Sequence, residues 1–225
     1  MKKQLKKVVT GAMIVGAMAA TQAQATLLID NFTQFQTVTD IGNDATPTSS
    51  TVALTTGTDL TGATRTLSAL ATGGLASQNE QVIVDSAYLF VSNSTLSNGT
   101  AFVDYTFNST DFSASGTAIL LKVLAIDLGV QVNMSVNNGA ASSGYQAFNG
   151  IGDFFKTYSS FNGYSAAEFS NVTNLRLDFK GVQAWDGQFQ LLTSDTPPKQ
   201  VPVPATIGLV GIGLAALGFR KKLQG

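Results

Sequence analysis

Apolar residues in this chain recur at every second position, a pattern that builds half-buried strands and not helices. Val130, Val132, Met134 and Val136 alternate with Gln131, Asn133 and Ser135. Leu175, Leu177 and Phe179 alternate with Arg176 and Asp178, and Val103, Tyr105 and Phe107 with Asp104 and Thr106. Residues 119–126 form an almost unbroken apolar run, which reads as a central strand buried on both faces. Further strands are expected at 27–32, 35–39, 63–70, 81–84, 87–92, 152–159 and 187–192. Only 166–169 suggests a helical turn. Asn98-Gly99, Asn138-Gly139, Asn149-Gly150, Asn162-Gly163 and Asp186-Gly187 supply turn signals between the runs. Many short strands at this spacing predict an all-β fold, an antiparallel two-sheet β-sandwich of jelly-roll type.

Both ends of the 225-residue chain break this pattern. Lys2, Lys3, Lys6 and Lys7 precede the apolar stretch 8–20, which is too short to span a bilayer comfortably. Ala23 and Ala25 then give the small-x-small spacing that a signal peptidase cleaves. Residues 1–25 therefore read as a signal peptide, with Thr26 as the mature N-terminus. The sandwich domain is expected over 26–192. Residues 193–200, with Pro197-Pro198, read as a stiff linker.

The segment 201–225 opens with Val201, Pro202, Val203, Pro204 and Ala205. An uncharged stretch, 203–219, follows and ends on Arg220, Lys221 and Lys222. As a helix it would be about 25 Å long, enough for a bilayer core. The three basic residues after it would hold the C-terminus in the cytoplasm.

These three parts, in this order, resemble the PEP-CTERM sorting signal of Gram-negative bacteria. Val203 stands where that family usually has Glu between the prolines. The resemblance implies an exosortase-type processing enzyme as partner, export across the inner membrane and transient anchoring there through the C-terminal helix. It implies a final location at the cell surface or in the extracellular matrix, beside exopolysaccharide. The core is also loosely similar to a recurrent architecture of such proteins. Ile29-Asp30-Asn31-Phe32 opens it, Thr64-Arg65-Thr66-Leu67-Ser68 continues it, and strands near 175–180 and 185–192 close it. That likeness implies a carbohydrate-binding-like sandwich.

Composition limits the chemistry. The chain has no Cys and no His. Ser-His-Asp and Cys-His catalysis, disulfides, and zinc or copper sites on thiolate or imidazole are thereby excluded. Between 26 and 200 there are six basic and fourteen acidic residues, a net charge of −8. Such a surface repels nucleic acid. No Asp-x-Asp-x-Asp-Gly loop supports a calcium site of the EF-hand kind, and no cofactor motif is present.

Hydrolysis would require paired carboxylates. Asp104, Asp127, Asp153, Glu168 and Asp178 are the candidates, though solvated or turn-capping carboxylates explain them as well. No catalytic residue is assigned. Trp185, the single Trp, has two readings. It plugs the core, or it stacks on a sugar ring while Asp186 accepts a sugar hydroxyl. Tyr145, Phe148, Phe154, Phe155, Tyr158, Phe161 and Tyr164 form an aromatic stretch divided between core and loop surface. The resulting expectation is an exported, non-enzymatic surface or matrix protein. A module binding exopolysaccharide is the alternative, and a carboxylate-dependent glycoside hydrolase or lyase the third reading.

Overall fold

The computed structural model describes residues 25–42, 45–73, 75, 77–148 and 150–198. The expected tail at 201–225, and the expected leader apart from Ala25, lie outside these residues. The chain runs through β1 (Leu27–Asp30), β2 (Gln36–Asp40), β3 (Thr48–Ala53), β4 (Thr64–Leu70), β5 (Glu80–Asp85), β6 (Tyr88–Asn93) and β7 (Thr100–Thr110). It continues through β8 (Ala118–Ile126), β9 (Gln131–Val136), β10 (Ala141–Ser142), β11 (Gln146–Ala147), β12 (Gly152–Thr157), helix α1 (Ala166–Ser170), β13 (Val172–Lys180) and β14 (Asp186–Asp195).

One sheet has the order β12-β8-β14-β6-β5-β2, with β1 added on β14. The other has the order β10-β9-β13-β7-β4-β3, with β11 added on β9. Every pairing is antiparallel, and the two sheets form a sandwich. Leu27 pairs with Ser194, so the described chain enters and leaves the sandwich at the same end.

The alternation in the sequence becomes the core. Leu67, Val103, Tyr105, Leu175, Leu177 and Phe179 come from the second sheet. Val82, Val84, Leu89, Val91, Leu121 and Phe189 join them from the first. Each large side chain taken out of water contributes about 1.5–3 kcal/mol. The second sheet's outer face is polar. Hydroxyls pair across strands there, at 2.7 Å for Ser49 and Ser68, 2.8 Å for Thr51 and Thr66, and 2.6 Å for Thr64 and Thr106. These pairs help place β3, whose Thr/Ser-rich sequence carries no apolar alternation.

Four expectations need correction. The first strand stops at Asp30 and not at Phe32, because Phe32 has φ 58° and its N–H donates to Asp30 Oδ1 at 2.7 Å. β8 is not central. It lies between β12 and β14, buried over its first four residues and half-exposed towards Ile126. Asp186-Gly187 is no turn but the start of β14, and the reversal before it includes Ala184 at φ 63°. Glycine fits at 187 because a Cβ there would meet the Phe189 ring at 2.9 Å. Finally, β14 runs to Asp195, three residues into the expected linker. Thr193 and Ser194 pair with Leu120 and Ile119, and Ser194 Oγ also shares a 2.5 Å hydrogen bond with the Tyr158 hydroxyl. Residues 166–169 do form a helical turn, within α1, and the Ser165 hydroxyl caps it by accepting from Glu168 N.

Candidate functional site

Strands β6, β14 and β8 lie side by side, and their outer faces border an open cleft of about 340 Å³. Alternation decides what they present. Leu89, Val91 and Phe189 point into the core, so Phe90, Ser92, Asp186 and Gln188 point out. Gln188 stands opposite Phe90 and Ala125, and Asp186 opposite Ser92. The pairing of β14 with β8 shifts register after Gln188. The cleft lies where these strands diverge from regular pairing.

The lining combines one aromatic ring, Phe90, with hydrogen-bonding groups, and Tyr88 and Ile83 lie next to Phe90 beyond the lining. Tyr88 and Phe90 stand with ring centres 5.8 Å apart, and Ile83 of β5 is opposite Phe90. Asp186 Oδ1 accepts from Asn93 N, and Asp127 Oδ1 accepts from Asp186 N, each at 3.0 Å. These bonds hold both carboxylates against the backbone. An apolar wall with a few fixed polar groups suits a polar, ring-shaped ligand such as a sugar.

The sequence candidates fall in different places. Trp185 is fully buried and its Nε1 donates to Gly99 O at 3.0 Å. It therefore plugs the core and offers no ring face to a sugar. Of the expected glycan-contact pair, only Asp186 borders the cleft.

The five candidate carboxylates do not converge. Asp104 and Asp178 flank Arg176 on the second sheet, at 3.7 and 2.6 Å, and the guanidinium also covers the Phe102 ring. Asp127 borders the cleft, and Asp153 lies on the edge strand β12. Glu168 Oε2 accepts from Asn137 Nδ2 at 2.8 Å. The aromatic stretch divides. Phe148, Tyr158 and Phe161 are buried, Phe154 and Phe155 half-buried, and Tyr145 and Tyr164 exposed. Tyr145 carries the Lys180 ammonium over its ring at 3.6 Å.

The sorting residues Val201, Pro202, Val203, Pro204, Ala205, Arg220, Lys221 and Lys222 lie outside the described residues, as does Ala23. Ala25 is described and exposed. Phe90, Ser92 and Gln188 went unrecognised as site residues in the sequence. The signal was there in the period-two register of β6 and β14, which puts these residues on the face opposite Leu89, Val91 and Phe189.

Comparison with known proteins gives one family match. Residues 200–222 match the family model described as the PEP-CTERM protein-sorting motif. Among solved structures, the chain is similar to the family 11 carbohydrate-binding module of the cellulosomal cellulase Lic26A-Cel5E of Clostridium thermocellum. The identity is 12%, the TM-score 0.39, and the coverage 79% of this chain and 99% of that one. A family 11 module from the same organism, in complex with a β-1,3-1,4-mixed-linked tetrasaccharide, gives 12%, 0.36, 76% and 95%. No curated protein matches the chain.

Proposed function

We propose that this chain, which carries a PEP-CTERM protein-sorting motif at residues 200–222, is an exported cell-surface or matrix protein. An exosortase-type enzyme processes it at that motif. The motif is the observation that carries the reading. Signal peptidase removes 1–25, the helix 203–219 holds the chain briefly in the inner membrane, and processing delivers the sandwich to the surface, beside exopolysaccharide.

The geometry of the sandwich supports such display. β14 ends beside the start of β1, so the tail leaves from the end where the described chain enters. The cleft lies at the opposite end of β14, around Asp186 and Gln188. The cleft and the point where the described chain leaves the sandwich are thus at opposite ends of β14.

A second reading is favoured by that cleft. Phe90 and Tyr88 offer apolar ring surface beside Ser92, Gln188, Asp186 and Asp127, a combination that suits binding of a polysaccharide chain. Polysaccharide pull-down with the wild type and with Phe90→Ala separates the two readings. Binding lost in Phe90→Ala with an unchanged melting temperature supports the module. No binding by the wild type leaves the sorted surface protein alone. The sorting reading itself is tested by the mass of the extracellular protein, where an intact tail would refute it.

A further inference from the structure

Asp40, Glu80 and Asn93 stand directly opposite one another on β2, β5 and β6, in one row across the first sheet. All three side chains are buried. Asp40 is held at both oxygens, Oδ1 accepting from Thr48 Oγ1 at 2.8 Å and Oδ2 from Ala71 N at 2.7 Å. Asn93 Oδ1 accepts from Gly99 N at 3.0 Å. Glu80 differs. It is 0% exposed, and among the described residues no side chain bonds its carboxylate oxygens, the backbone of Leu70 being the donor that approaches them.

Five buried side-chain polar atoms lack a partner among the described residues, and four belong to Glu80, Ser94 and Ser97. Ser94 and Ser97 form the turn after β6, and Ser94 N donates to Asn79 O at the start of β5. Glu80 Oε2 and Asn93 Oδ1 close on one side of Gly99. A Cβ on that glycine would stand 1.9 Å from the first and 2.7 Å from the second. Buried polar atoms without partners are rare in folded proteins, and a bound ion is one arrangement that satisfies them.

We propose that Glu80, with Asp40 and Asn93, binds one divalent cation of the hard, oxygen-seeking class, such as calcium. Two carboxylates balance its charge. No three acidic side chains converge among the described residues, so the remaining ligands are neutral oxygens. Asn93 Oδ1 and the Ser94 and Ser97 hydroxyls supply that type, and calcium accepts six to eight oxygens in flexible geometry. Such a site needs neither His nor Cys.

The electrostatics agree with this. Burial pushes the Glu80 carboxyl up to about 9, against the lowering effect of a backbone hydrogen bond from Leu70 and with a smaller push from the Asp40 charge. Asp40 is the titratable neighbour. Among the described residues, β6, Leu70 on β4 and the β6–β7 turn bring no other titratable side chain to Glu80.

The chain contains its own reporter. Trp185 Nε1 donates to Gly99 O, and Asn93 Nδ2 donates to Trp185 O, both at 3.0 Å. The single Trp therefore sits against two residues of the corner.

The test is thermal unfolding of the full chain in detergent, in EDTA and in calcium chloride, followed by Trp185 fluorescence. At about a hundredfold excess over Kd, calcium raises the midpoint by about 5–10 °C. Glu80→Gln keeps the shape, removes the carboxyl ligand and loses that rise. Terbium emission sensitised by Trp185 and displaced by calcium reads the site in the wild type directly, whether or not the variant folds. Equal midpoints in EDTA and calcium, or a full calcium response in Glu80→Gln, would overturn the site and leave Glu80 a protonated core acid.

Discussion

Asp30 Oδ2 accepts a hydrogen bond from Arg65 Nη1 at 2.6 Å, and both side chains are buried. Asp30 ends β1 in the first sheet, and Arg65 lies on β4 in the second, so the pair crosses the sandwich. The groups around it are matched. Tyr105 donates its hydroxyl to the same Oδ2 at 3.0 Å, and Phe32 N donates to Oδ1 at 2.7 Å. Arg65 Nε reaches Gln36 Oε1 at 2.8 Å, and Nη2 reaches Gln34 O at 2.6 Å. Burial, with the Asp30 charge adding to it, holds the Tyr105 phenol well above its ordinary pKa, so it remains a donor.

Removing one partner of a buried ion pair strands the other in a medium that cannot solvate it. Arg65→Met is expected to cost about 3–5 kcal/mol. Asp30→Asn combined with Arg65→Met should cost less than the two single changes added together. Urea unfolding of the four proteins measures that coupling. A purely additive cycle would show that the two residues do not act as a pair.

Trp185→Ala opens a large cavity and leaves Gly99 O without its indole donor. A loss of about 3–5 kcal/mol is expected, a substantial part of a domain's stability. Wild-type emission should be blue-shifted and shielded from acrylamide. Solvent-like emission with easy quenching would contradict the buried position.

Glu80 makes stability depend on pH in a defined direction. Its folded pKa of about 9 lies above the ordinary carboxylate value. Between about pH 4.5 and 9 the unfolded chain has released this proton while the folded chain keeps it. Stability is therefore fully present below the lower value and falls as pH rises, by up to about 1.4 kcal/mol per unit. Midpoints of urea unfolding in EDTA at pH 5.5 and 8 check this. The wild type should lose stability between them, and Glu80→Gln should lose much less. An equal slope in both would assign the effect to other groups.

At the C-terminus, Pro204→Ala or deletion of Arg220, Lys221 and Lys222 should leave unprocessed protein in the membrane fraction. Fractionation followed by mass measurement reads this. Normal release of either variant would separate the motif from processing.

Period-two alternation was enough to anticipate most strands and the two-sheet class, because one apolar face per strand must meet another. It could not reveal β3, whose Thr48–Ala53 sequence has no apolar face and is held by main-chain pairing and cross-strand hydroxyls. Nor could it show that Asp186-Gly187 opens a strand, since the same dipeptide serves a turn or makes room for a ring such as Phe189. Arg65 in the inward register of β4, between apolar neighbours, was a visible anomaly, but its partner lies 35 positions away.

The sequence by itself determined the all-β class, the absence of His- and Cys-based chemistry and the sorting signal, for these are written in local pattern, composition and contiguous motif. Tertiary structure alone decided that Trp185 is core, that Asp104 and Asp178 flank Arg176, and that Phe90, Asp186 and Gln188 share one cleft. It alone set Glu80 beside Asp40 and Asn93. Such meetings depend on which strands become neighbours and in what register, and that choice is made by packing the whole sandwich at once.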